Sequence, residues 1–293
     1  MQIGRYKCLI KNQLDPIHTH KVLSRYPSLP KASQARTVIT MTSIPERLEY
    51  LRPVLNSLLD QTVKVDEIAL NLPMVSRKGV KYEIPPWLEK LHTLQGSPIK
   101  IHRIPEDIGP GSKILPTLCR EKTSTLVIAV DDDNIYSSKM VEGLVNEYYK
   151  HGKICAITNY GMVMKPGLRF PFKYNRAMKI FSGSREVDFV QGCTGFLLNP
   201  WMLPKEALDI KNGPKEALTV DDIWVSGWLH KNKVKIMQPA LNIRYVPLPH
   251  VSALRNTPSL IWTENSDRKN DLTTIEWFRQ KGMKLMYEKY SNY

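Results

Sequence analysis

Apolar positions along this chain switch between two spacings, and the switches mark out its elements. "TVITM" (Thr37–Met41) is a short β-branched run and predicts a strand. The adjoining "SIPERLEYLRPVLNSLLDQ" repeats Leu48, Leu51, Leu55, Leu58 and Leu59 at helical spacing. Ser43 with Glu46 three residues on forms a capping box, and Pro45 suits a first helical turn, so a helix is expected from Ser43. Strands are expected at "VDEIALNLP" (Val65–Pro73), "IKIHRI" (Ile99–Ile104), "TLVIAV" (Thr125–Val130) and "ICAIT" (Ile154–Thr158). Between them, "SKILPTLCR" predicts a short helix despite Pro116, and "SSKMVEGLVNEYYKHG" a longer one stopped at Gly152. Strand and helix in alternation predict an α/β fold, a mainly parallel sheet with helices on both faces. Ligands of such sheets bind outside the carboxyl ends of the strands.

The flanking regions are less regular. Residues 1–35, with Pro16, Pro27 and Pro30, are expected to be an N-terminal extension that packs on the domain or is partly mobile. Residues 36–160 then form one half of a single domain and 161–293 the other. The second half holds three notable stretches: "FVQGCTGFLLNP" with Gly192 and Gly195, "LTVDDIWVSGWLHK" with Asp221 and Asp222 opening a Trp-rich helix, and "IRYVPLPHVSAL" with His250.

With 293 residues, 42% of them hydrophobic, the chain can bury a sizeable core. It has no apolar run of membrane-spanning length and no signal-like N-terminus, so a cytoplasmic protein is expected. Its four cysteines are far apart and match no zinc spacing. The net charge of +14 favours anionic partners, and peripheral contact with an anionic membrane is one expectation. The basic residues are scattered and carry no nucleic-acid-binding motif, so no specific nucleic acid is expected.

Against that basic background, "LVIAVDDDNIY" runs a buried strand into three carboxylates, Asp131, Asp132 and Asp133. Two unit charges about 4 Å apart repel by about 4 kcal/mol at an effective dielectric near 20, so something positive must sit among them. Strand alternation would point Asp131 and Asp133 the same way, as a pincer for a divalent cation with oxygen preference. A calcium loop is excluded, because Ile135 and Tyr136 fill positions that need Asp or Asn and then Gly. Asp221 and Asp222 taken alone read first as helix caps that complement the helix dipole. Lys113 follows Gly109 and Gly111, which permit close approach of a ligand to the backbone.

Taken in order, these pieces resemble the GT-A fold glycosyltransferases. That family carries a nucleotide-binding sheet, a D-x-D motif after a buried strand, a glycine-containing loop, an x-E-D position at a helix start and a C-terminal histidine. Here Asp131–Asp133, Gly192, Asp221–Asp222 and His250 stand in that order. One departure is Asp221 in place of the family's Glu. The resemblance implies a Rossmann-like nucleotide-sugar half and a less regular acceptor half. It implies transfer of a sugar from a nucleotide-diphospho-sugar, UDP-linked by base rate, to a glycan or glycoconjugate hydroxyl, with inversion. It further implies that Asp133, Asp131 and His250 hold Mn²⁺ (or Mg²⁺), with Asp131 alternatively on the ribose and a metal-bound water. Thr42, Arg47, Lys113, Asp132 and Gly192 would line the nucleotide sugar, and Asp222, beside Asp221, would be the base. Two other readings stay open: a sugar nucleotidyltransferase, which usually has a glycine-rich loop where this chain has "TSIPER", and an inactive basic module binding polyanions.

Overall fold

β1 (Thr37–Met41) is buried at all five positions, as a strand must be when both faces of its sheet are covered. The structure is a computed structural model and describes residues 15–167, 183–240, 246–247, 265 and 267–289. β1 pairs in parallel with β2 (Glu67–Pro73) on one side and β4 (Leu126–Ala129) on the other, Ile39 opposing both Ile68 and Ile128. β3 (Ile99–Ile104) adds outside β2, also parallel. β5 (Asn134–Ile135) leaves this sheet just after the acids. The sheet continues with β6 (Ala156–Thr158), β7 (Arg185–Val187), β8 (Phe196–Leu198) and β9 (Ile236–Gln238). The full order is β3-β2-β1-β4-β8-β6-β9-β7. Only β8 and β7 run against the rest, so the expected mainly parallel α/β sheet is observed. β10 (Val246–Pro247) pairs antiparallel with β5, which sets Pro247 opposite Asn134.

The helices differ from expectation at one informative place. α1 (Pro16–Arg25) lies in the N-terminal segment and is capped by Asp15, whose carboxylate accepts from the Ile17 N–H at 2.9 Å. Val22 and Tyr26 enter the core, and the Tyr26 hydroxyl accepts from Val65 N–H at 2.9 Å. The single helix expected from Ser43 is instead a 3-10 segment, Pro45–Tyr50, followed by α2 (Arg52–Leu59). Pro53 explains the break, since it lacks the N–H that a continuous helix would bond to the carbonyl four residues back. Ser43 makes no capping bond; its hydroxyl goes to Asp132. α3 (Pro86–Thr93), α4 (Leu115–Arg120, with Pro116 in its tolerant first turn) and α5 (Met140–Lys150) complete the first half. α6 (Asp221–Lys231), α7 (Lys269–Arg279) and α8 (Met286–Lys289) lie in the second half.

α6 is apolar nearly all round and buries Trp224 and Trp228 against Trp277 and Phe278 of α7, with Trp224 and Phe278 centroids 5.4 Å apart. Gly227 permits this approach, because a Cβ there would stand 2.3 Å from the Phe278 ring. These two tryptophans are therefore core residues, while Trp201 keeps 42% exposure. No helix among the described residues is long and apolar enough to cross a membrane.

Candidate active site

The site follows from the strand order. β1 leads outward to β2 and β3, and β4 returns to the other side of β1, so the order reverses between β1 and β4. Loops leaving two such strands diverge and open a crevice between them. Here the β1 loop carries Thr42, Ser43 and Arg47, and the β4 loop carries the acidic triplet. β8 then enters beside β4 in the opposite direction, so its leading turn, with Gly192, starts at the same edge.

The triplet does not behave as a strand. β4 ends at Ala129, the acids lie in the turn beyond it, and the expected alternation is replaced by a split. Asp132 turns to the β1 loop, where Arg47 Nη1 lies at 2.7 Å and the Ser43 hydroxyl donates at 2.6 Å. Asp133 lies 3.5 Å from Arg47 Nη1 and accepts from Asn134 Nδ2 at 2.8 Å. Asp131 turns the other way, to Lys113 Nζ at 2.7 Å. The positive charge that the triplet required is thus Arg47 and Lys113.

Lys113 gathers acids from both halves. Besides Asp131, its ammonium lies 2.9 Å from Asp221 Oδ2 and 3.6 Å from Asp222 Oδ1. The Asp221 contact is ionic without hydrogen-bond alignment, and that oxygen has no hydrogen-bond partner. Both oxygens of Asp222 accept from the Gly192 N–H, at 3.2 and 3.1 Å. A Cβ on Gly192 would lie 2.3 Å from Lys113 Nζ and 2.6 Å from Asp131 Oδ1, so a side chain here would push both tips from their present places.

Among the described residues, five carboxylates therefore face two cations, and the imbalance appears in their protonation. Burial, then the neighbouring Asp132 and Asp131 charges, pushes Asp133 up to about 7. Burial raises Asp222 to about 8 against the pull of Lys113, with Asp221 and Asp131 adding to the rise. Burial would discharge Lys113, but Asp131, Asp221 and Asp222 hold it well above the ordinary lysine value. The thiol of Cys193 is pushed up by burial and stays protonated.

Exposure separates the two acids of α6. The Asp222 side chain keeps 31% accessibility, as does Asp131, whereas Asp221 keeps 9% and Lys113 5%. Asp131 and Asp222 face the crevice; Asp221 and Lys113 lie behind them. Thr42 is at the crevice wall, its hydroxyl donating to the Asn71 carbonyl at 2.7 Å. Every expected site residue among those described falls in this one region; His250 lies outside the described residues.

The surplus of acid and the poorly neutralised Asp133 fit a hard divalent cation. Among the described residues no group of three or more His, Cys, Asp or Glu side chains is arranged to hold one. Two contributors escaped the sequence reading. Ser43 is a donor to Asp132 and not a helix cap. Tyr136, 4% exposed, accepts the Asp131 N–H at 2.8 Å and donates toward the Gly192 carbonyl at 3.3 Å, pinning the two loops together. Its only signal was a hydroxyl-bearing aromatic just after the acids.

No family model matches this sequence, and no curated protein does. Solved structures do. A crystal structure of GalNAc-T7 with UDP, GalNAc and Mn²⁺ superposes with a TM-score of 0.54 at 13% identity, over 88% of this chain and 58% of that one. S. aureus TarS 1-349 in complex with UDP-GlcNAc gives a TM-score of 0.49 at 14% identity, over 72% of this chain and 57% of that one. The chain thus spans less than two thirds of the length of either. The GalNAc-T7 superposition shows that this chain has the GT-A fold.

Proposed function

We propose that this protein transfers a sugar from a nucleoside-diphosphate sugar, with UDP as the nucleotide, to a hydroxyl of a glycan or glycoconjugate, inverting the anomeric carbon. The observation that carries the reading is the placing of Asp131 and Asp222. One acid lies in the turn just past a parallel strand at the switch-point crevice, and the other lies in the first turn of α6. Both are accessible, and both lie against Lys113. GalNAc-T7, which shares the fold, was solved with UDP and Mn²⁺.

On this reading the nucleoside diphosphate lies along the β1 and β4 loops, lined by Thr42, Arg47, Asp132 and Gly192. Asp133 and Asp131 would hold Mn²⁺ or Mg²⁺, joined by His250 three positions beyond Pro247. A bound divalent cation would offset the charge that gathers on the leaving diphosphate. Asp222 takes the proton from the acceptor hydroxyl. Its pKa of about 8 lies close enough to neutrality for a general base that is partly ionised at working pH. A base on the face opposite the leaving group gives inversion, by the logic of inverting glycosidases. The acceptor approaches from the β6–β9 half. The surface with net charge +14 suits an acidic glycan or contact with an anionic membrane. The free thiols of Cys119, Cys155 and Cys193 suit the cytoplasm.

The test is donor hydrolysis across UDP-, GDP- and TDP-sugars, with Mn²⁺ and with chelator. Release of UDP that stops in chelator and returns with Mn²⁺ is expected. Turnover undiminished in excess chelator would remove the cation from the account. UDP-sugar made from UTP and a sugar phosphate would replace transfer with nucleotidyl transfer.

A further inference from the structure

We infer that Lys113 is a positioning residue, holding the proposed base Asp222 beside the donor-side acid Asp131, and not a contact to the donor's diphosphate. The inference rests on the glycosyl-transfer reading above, and it replaces the phosphate role that a lysine after "GPGS" suggests.

An ammonium has three N–H groups. Here three carboxylates, those of Asp131, Asp221 and Asp222, stand within 2.7, 2.9 and 3.6 Å of Nζ. The side chain is only 5% accessible, so the ammonium is buried among these acids, with its hydrogen bond going to Asp131. A phosphate oxygen would have to compete with three carboxylates already within 3.6 Å of Nζ.

The rest of the residue is fixed as firmly as its tip. The Lys113 carbonyl accepts from the Thr40 hydroxyl at 2.6 Å and from Asn71 Nδ2 at 3.2 Å. Thr117 closes the cluster through Thr40 at 2.6 Å and Asn71 at 3.0 Å, and all three partners are fully buried. β1, β2 and α4 thus grip the backbone of Lys113 while Gly192 leaves room for its ammonium. A side chain placed so closely from four elements is a fixed spacer.

What it spaces decides its role. Asp131 belongs to the β4 loop and Asp222 to α6, from opposite halves of the sheet. Their carboxylates repel, and Lys113 is the cation between them. It therefore sets how far the proposed base stands from the donor-side acid, which acts on turnover and leaves nucleotide affinity alone.

Lys113→Met tests this by three readouts: UDP affinity by calorimetry with Mn²⁺, Mn²⁺ affinity by electron paramagnetic resonance, and donor turnover. The expected result is UDP affinity within about threefold of the parent, Mn²⁺ bound as tightly or more tightly, and turnover down at least tenfold. A lost phosphate contact would instead weaken UDP by about tenfold to a hundredfold, the worth of a hydrogen bond to a charged group. That result, or unchanged turnover, overturns the inference. Because the single variant leaves three acids without their cation, Lys113→Met/Asp221→Asn is measured alongside, with one charge fewer and the same pattern expected. The parent's own turnover tests the reaction, while the variants' UDP affinity tests Lys113, so the two failures are distinct.

Discussion

The β1–β4 half and the β6–β9 half share one sheet but differ in how their acids are held. In the first, parallel strands of four to seven residues end in loops whose Asp132 is matched by Arg47 and Ser43. In the second, strands of three residues, two of them reversed, support a tryptophan-packed helix whose Asp222 is matched only in part. Charge matched as at Asp132 suits a surface that receives a ligand already carrying its own charge, while Asp133 beside it is left poorly neutralised. A carboxylate whose proton is easily exchanged suits a group that must take one up. The two halves meet at Lys113 and Gly192, and the comparison can be broken there.

Gly192→Ala should have the largest effect, because it forces the seam apart. The new methyl group would meet Lys113 Nζ at 2.3 Å and Asp131 Oδ1 at 2.6 Å, so neither can keep its place. Overpacking of this kind costs about 1–3 kcal/mol, to be read as a lower denaturation midpoint. Turnover should fall with it by an order of magnitude or more. A variant with parental stability and rate would mean that the halves are not joined at this point.

A smaller effect should appear in the pH dependence of stability without divalent cation. Asp133 at about 7 and Asp222 at about 8 lie above the unfolded aspartate value of about 3.9. The folded state therefore holds more protons than the unfolded one between those limits, and stability falls as pH rises from about 4 through about 8. Asp188 and Asp271, also raised by burial, add to that fall, while His230, lowered by burial to about 4, opposes it between about 4 and 6.5, so the fall is steepest above that. Asp133→Asn should flatten the curve and raise the melting temperature at pH 8, and Mn²⁺ should do the same for the parent. Stability that rises across this range would show that the site is not acid-rich in the way drawn here.

The legible parts of the molecule were those built on continuous burial. Strands covered on both faces read as unbroken apolar runs, so β1 to β4 were found near their true bounds. β7 and β9 are three-residue strands and carry no period to read, and the reversal of β8 depends on which neighbours it meets, not on its own sequence. Within the site, the candidate acids and glycine could be named from local pattern, but their pairing could not. Ser43 has a cap's sequence and a carboxylate's partner. Lys113 has a phosphate loop's sequence and three acids around it. In both residues the deciding partner is far away in the chain, so no local rule contains it.

The central claim is that Asp222 takes the acceptor's proton, and Asp222→Asn beside Asp221→Asn tests it most directly. Neither acid caps α6, whose N-cap is Val220 with no side-chain bond, and Asn keeps the shape of Asp and an oxygen that can accept from the Gly192 N–H, so neither change should unfold α6. Asn cannot accept a proton, and loss of a general base lowers turnover by about 10²- to 10⁴-fold. The measurement is turnover of both variants against the parent, with UDP affinity as the control. Turnover lost in Asp222→Asn with UDP affinity unchanged, and a smaller loss in Asp221→Asn, is the predicted result. Full turnover in Asp222→Asn would contradict the account.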